Sequence, residues 1–80
     1  MRKYIYSILK LIVSVDTSGN TALHYASAYG WPQIVKLLLA AGADPNKQNL
    51  WNSTPASLAI QKYHYLILDI ILNHKTAHKP

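Results

Sequence analysis

Residues 16–30 read DTSGNTALHYASAYG and residues 34–46 read IVKLLLAAGADPN, and these two stretches decide the fold. The same unit returns 33 residues downstream in altered form. Asp16 answers to Asn49, Thr21 to Thr54, Ala26 to Ala59, Ile34 to Ile67, Val35 to Leu68, Leu37 to Ile70, Leu38 to Ile71 and Leu39 to Leu72. A period of this length is that of a stacked repeat, in which each unit buries its apolar face against its neighbours instead of closing a core of its own. Such units lend surface to a shared site and seldom carry a reaction alone, so the repeat bears on architecture more directly than on chemistry.

Local signals inside the unit are equally directional. Residues 16–20 make a polar turn in which Gly19 suits a positive φ. Thr21 is placed to cap a helix with its hydroxyl, Ala22, Leu23, Ala26 and Ala28 suit close packing, and Gly30 ends that helix in the left-handed conformation. Pro32 opens a second helix at its first position, Ile34, Val35, Leu37, Leu38 and Leu39 supply its apolar side, and Gly42 stops it. Residues 21–41 therefore make a helix hairpin. Residues 43–53, rich in Asp, Pro, Asn and Gln, make an exposed turn that projects from the stack. The cycle restarts at Thr54 and Pro55 with a short helix over 56–62 and a strongly apolar one over 65–73, and the patternless residues 74–80 are expected to fray.

Residues 3–15 begin like a signal peptide, but Lys10 interrupts the apolar run and Val13-Ser14-Val15 is a poor cleavage site. Lys3, Ser7, Lys10 and Ser14 share one helical face, and Ile5, Ile8, Leu9 and Ile12 share the other. The expected element is an amphipathic helix too short to span a bilayer. Covering the exposed end of the stack is its first reading, and lying on a membrane surface as a basic helix is its second.

Composition narrows the remaining classes. Eighty residues allow one small domain, and with no cysteine there is neither a disulfide framework nor a thiolate zinc site, which fits an intracellular, cytoplasmic setting. A hydrophobic content of 50% argues against disorder. The net charge of +5, eight Lys and Arg against three acidic residues, favours acidic partners. Only Arg2 and Lys3 are adjacent, however, while Lys36, Lys47, Lys62, Lys75 and Lys79 lie far apart, and this scatter argues against a nucleic-acid tract.

The set Asp16, Gly19, Thr21, Leu23, His24 and Ala26, followed by Gly30, Ile34-Val35, Leu37-Leu38-Leu39, Gly42-Ala43-Asp44 and Asn46, resembles the ankyrin repeat. That family's pattern is Asp, two variable residues, Gly, one variable residue, then Thr-Pro-Leu-His-x-Ala, with Ala22 standing here for the proline. The resemblance makes residues 16–48 a near-consensus repeat and residues 49–75 a degenerate one, with residues 1–15 a partial repeat or cap and 76–80 a tail. It implies an all-α stack of helix-turn-helix units, a short α-solenoid with projecting turns. In the second copy Asn52 replaces Gly19, Ala56 replaces Leu23 and Ser57 replaces His24. Tyr63 replaces Gly30, and a bulky residue at positive φ costs about 1 kcal/mol or more, so that turn either changes shape or is strained.

The resemblance also implies function: a non-catalytic scaffold whose partner is another protein, held along the concave surface of turn tips and first helices. Carried over by position, that surface comprises Thr17, Ser18, Asn20, Ala28, Tyr29, Gln48, Leu50, Trp51, Ser53, Gln61 and Lys62. His24 takes the place of the family's structural histidine. Asn46 stands where such repeats can be hydroxylated, and a side chain bonded within its own turn is the plainer reading. Fewer than three full repeats are present, whereas such stacks usually need about three, so a longer array, a fragment or self-association through the apolar ends is anticipated.

Candidate chemistry is sparse. Asp16, Asp44 and Asp69 are the only carboxylates and are spread over turns and a helix, which leaves no acid–base pair. No spacing supports Ser57, His24 and Asp44 as a triad, and no Gly-x-Ser-x-Gly elbow or phosphate loop occurs, so neither catalysis nor a cofactor is expected. His74 and His78 have the spacing of two ligands on one helical face, but no acidic or cysteine partner lies near them, and no metal is expected there or at His64. Asn52-Ser53-Thr54 is a glycosylation sequon without a secretory signal to give it meaning. Leu50 and Trp51 fall at the projecting tip, where the indole either anchors a partner or folds back onto the stack; the residues alone leave both open.

Overall fold

A computed structural model of the chain describes residues 10–77. Lys3, Ile5, Ser7, Ile8 and Leu9 of the expected first helix lie outside the described residues, as does His78. Helical residues 10–13 form α1, followed by α2 (Ala22–Tyr29), α3 (Pro32–Ala40), α4 (Pro55–Gln61) and α5 (Tyr65–Ala77). Among the described residues every regular element is a helix. The hairpins α2–α3 and α4–α5 stack with α2 on α4 and α3 on α5, giving two helical layers. No helix among the described residues is long and apolar enough to cross a membrane.

Helix starts and stops follow the local chemistry. Thr21 caps α2 by accepting from the His24 backbone N–H at 3.3 Å, and Thr54 caps α4 by accepting from Ser57 N–H at 3.1 Å. Pro32 and Pro55 open α3 and α4, where their missing N–H costs nothing. Gly30 ends α2 at φ 78°. Its hydrogen is also needed for space, because a Cβ there would lie 2.9 Å from Nε2 of His64. Tyr63 holds the same left-handed conformation at φ 65°, so the second turn keeps its shape and carries the strain. At the C-terminal end the expectation of fraying from residue 74 is corrected: α5 runs to Ala77, since no glycine or proline interrupts it before Pro80.

The core is made by facing sides of the two repeats. Leu23, Val35, Ile67 and Ile71 are each at most 1% exposed, and burying each contributes about 1.5–3 kcal/mol. In α3 the buried pair is Val35 and Leu39, whereas in α5 it is Ile67 and Ile71, which correspond to Ile34 and Leu38. One side of each second helix thus turns toward the next unit and the other toward the preceding one. Ile12 of α1 joins this core while Lys10 and Ser14 face outward, as the amphipathic pattern requires.

Candidate partner-binding groove

Each repeat presents one turn tip, and one side chain organises each. Oδ1 of Asp16 accepts from the N–H groups of Ser18 at 2.9 Å and Asn20 at 2.8 Å, while Asp16 N–H donates to the Asn20 carbonyl at 3.0 Å. Oδ1 of Asn49 accepts in the same way from Trp51 at 2.9 Å and Ser53 at 3.0 Å, and Asn49 N–H donates to the Ser53 carbonyl at 3.0 Å. The amide adds what a carboxylate lacks, a donor: Asn49 Nδ2–H reaches Oδ1 of Asn20 at 2.8 Å. Together with Leu50 N–H donating to the Ser18 carbonyl at 3.0 Å, this bond ties the two tips side by side. Gly19 permits the approach, since a Cβ there would lie 3.0 Å from the Leu50 nitrogen, and Asn52 adopts the equivalent left-handed φ of 62°.

His24 links the layers below the tips. Its Nδ1 accepts from Thr21 N–H at 3.0 Å, so the ring proton sits on Nε2, which donates to the Ser53 carbonyl at 2.9 Å. The imidazole, fully buried, thereby joins the start of α2 to the following turn. Ser57, its counterpart, accepts from Thr54 N–H at 2.9 Å and returns its own proton to the Thr54 carbonyl at 2.9 Å, so it caps α4 and reaches no further. His64, which falls at the position of Trp31, donates from Nδ1 to the Ser27 carbonyl at 3.0 Å and bridges the repeats again. Both imidazoles are therefore structural ties. Among the described residues no three His or Asp side chains gather to hold a metal ion.

Between the tips and the first helices lies an open groove of ≈ 280 Å³. Ala28, Leu58 and the ring of His24 contribute its apolar and buried parts, Tyr25, Tyr29 and Trp51 its aromatic parts, and Asn20, Asn49 and Lys62 its polar ones. Tyr25 and Tyr29 are one helical turn apart and stack with ring centres 6.3 Å apart and planes 7° apart; Trp31 continues the stack at 5.4 Å from Tyr29. Trp51 is 69% exposed, which resolves the alternative left open by the residues: the tip projects and the indole stands off the stack.

The groove also has an electrostatic polarity. The Tyr25 hydroxyl donates to Oδ2 of Asp16. This bond, followed by the Asn20 N–H, holds the Asp16 carboxyl below its ordinary pKa against the opposing effect of desolvation, and it raises the Tyr25 phenol. The carboxylate is thus held in its ionised form by its own turn and by Tyr25 of α2. Lys62 at the end of α4 pairs with no acidic side chain among the described residues.

Five of the residues carried over by position, Asn20, Ala28, Tyr29, Trp51 and Lys62, line this groove. Leu50 is exposed at the tip beside it; Thr17, Gln48 and Gln61 are exposed but do not line it. Ser18 and Ser53 are half-buried, and their carbonyls are taken by Leu50 and His24. Tyr25, Leu58 and Asn49 line the groove without having been singled out. The signal for the first two was available, since Tyr25 lies four residues before Tyr29 and Leu58 lies 33 after Tyr25.

A stack of helix hairpins with tied turn tips and a concave groove defines a helical repeat protein. The family model described as Ankyrin repeat matches residues 18–50. The chain is 34% identical over 74 residues to the serine/threonine-protein kinase VIK of Arabidopsis thaliana, covering 92% of this chain and 17% of that protein. It is 47% identical over 60 residues to the poly [ADP-ribose] polymerase tankyrase of Caenorhabditis elegans, covering 71% of this chain and 2% of that protein. To the NF-kappa-B inhibitor delta of Mus musculus it is 52% identical over 54 residues, covering 62% of this chain and 16% of the relative. The chain belongs to the ankyrin-repeat family. It spans less than a fifth of the length of each of these relatives.

Proposed function

We propose that the chain is a non-catalytic interaction module that holds another protein in the groove between its turn tips and first helices. One observation carries this reading: the indole of Trp51 is 69% exposed at a tip whose backbone is fixed by Asn49, in the same groove as the Tyr25–Tyr29 stack. An ordered aromatic left in solvent adds nothing to the fold and is the kind of anchor on which interface energies concentrate. Two of the groups that could perform chemistry are engaged in the fold: His24 through both ring nitrogens, and Asp16 through Tyr25 and two backbone N–H groups. The relatives in which catalysis is named, a kinase and a polymerase, are far longer than the matched segment, in keeping with a binding role for that segment.

Trp51→Ala is expected to shift stability by no more than about 0.5 kcal/mol while weakening partner capture by about 2 kcal/mol. Affinity capture from cell extract with the wild type and the variant, beside a melting curve for each, measures both quantities. Equal recovery of the same proteins by both would sink the anchor.

A further inference from the structure

We propose that the groove's occupant is an extended segment of the partner protein, with an acidic side chain at Lys62 and an apolar or aromatic one against Trp51, at least about three residues apart. This rests on the reading of the groove as the partner site. Lys62 is the one charged side chain lining the groove among the described residues. Its ammonium has no carboxylate partner among the described residues. Asp16, the acid of the turn tips, is engaged by the Tyr25 hydroxyl and the N–H groups of Ser18 and Asn20. Over the whole chain three acidic residues face eight Lys and Arg, so the surrounding field has the same sign as Lys62.

Spacing follows from the helix between the two anchors. Trp51 stands before α4 and Lys62 just after its last residue, so Pro55 to Lys62 alone spans about 10 Å at 1.5 Å per residue. An extended chain advances about 3.3 Å per residue, so this span alone asks for a separation of at least about three residues. The aromatic walls and the small floor residue Ala28 suit a narrow main chain with one bulky side chain. A single-stranded nucleic acid fits less well, because its phosphates recur at every nucleotide whereas the groove offers a single cation among the described residues.

The test is selection from a displayed library of randomised linear peptides on the folded chain, repeated on Lys62→Gln, Lys62→Glu and Trp51→Ser, each checked for wild-type helicity. Expected are peptides pairing Asp or Glu with an apolar residue at the stated spacing, weakened about three- to tenfold by Lys62→Gln and replaced by Lys- or Arg-bearing peptides on Lys62→Glu. Peptides that depend on Trp51 but show no acidic preference and ignore Lys62→Glu overturn this inference and leave the groove as the partner site. Peptides indifferent to Trp51→Ser, or none at all, overturn both. A single-stranded oligonucleotide that displaces the peptides and is released by Lys62→Gln also overturns the acidic-segment reading.

Discussion

His24 shows how one side chain can hold two repeats together. Its Nδ1 takes the Thr21 N–H and its Nε2–H reaches the Ser53 carbonyl, so removing the ring strands the buried Thr21 N–H and leaves the Ser53 carbonyl only its bond from Asn49 N–H. His24→Ala is expected to cost about 1–3 kcal/mol, read as a lower denaturant midpoint; an unchanged midpoint would remove the structural role. Asp16 supplies a second residue-scale test, with a definite sign. Its pKa in the fold is lowered, chiefly by the Tyr25 hydroxyl, so its contribution to stability is present above the ordinary carboxylate value and is lost as pH falls through the depressed one. In Tyr25→Phe the Asp16 titration, followed by carboxyl NMR, is expected to move up toward the ordinary value, and the acid-side loss of stability should become shallower. A titration that stays put in the variant would show that the backbone N–H groups alone set it.

At the scale of the element, the link between α4 and α5 carries the clearest strain. Tyr63 sits at φ 65° where the first copy has Gly30, and its ring is 77% exposed, with an edge contact to Tyr65 at 6.4 Å. A left-handed non-glycine residue costs about 1–2 kcal/mol, partly offset here by the ring contact and by the greater freedom glycine has when unfolded. Tyr63→Gly is therefore expected to stabilise the chain by about 0.5–1 kcal/mol, and Tyr63→Ala, which keeps the strain and loses the ring, to destabilise it slightly. Melting temperatures ordered Gly above Tyr above Ala bear this out; Gly at or below Ala would place the strain elsewhere. The helix ends around this link were readable because caps and stops act within a few residues. The length of α5 was not, since continuation past residue 73 depended on the absence of a stop rather than the presence of a signal.

Among the described residues, the second repeat leaves one apolar side of the stack exposed. Ser27 and Leu39 are 0% and 4% exposed because the second repeat covers them, whereas their counterparts Ile60 and Leu72 are 48% and 50% exposed. The surface that receives a neighbour in the first repeat thus faces solvent in the second, and it is apolar. We expect the chain by itself to melt as a monomer below about 65 °C and to self-associate as concentration rises. Replacing Ile60 with Ser and Leu72 with Gln should remove the concentration dependence in sedimentation equilibrium while leaving helicity intact. Self-association that survives the double variant would move the contact to another face.

The amino-acid sequence by itself determined the period, the helix hairpins, the capping residues Thr21 and Thr54 and the left-handed positions of the turns, because each rests on interactions among residues close along the chain. It also pointed to Asn20, Ala28, Tyr29, Trp51 and Lys62, which line the groove. Only the tertiary structure decided which of these converge. Stacking α2 on α4 brings Tyr25, Leu58 and Lys62 to one groove and leaves Thr17, Gln48 and Gln61 outside it, and bonding the tips through Asn49 and Leu50 holds Trp51 out in solvent. The difference lies in range: a cap or a turn is settled within a few residues, whereas a groove is settled by the offset between units 33 residues apart, which no single unit contains.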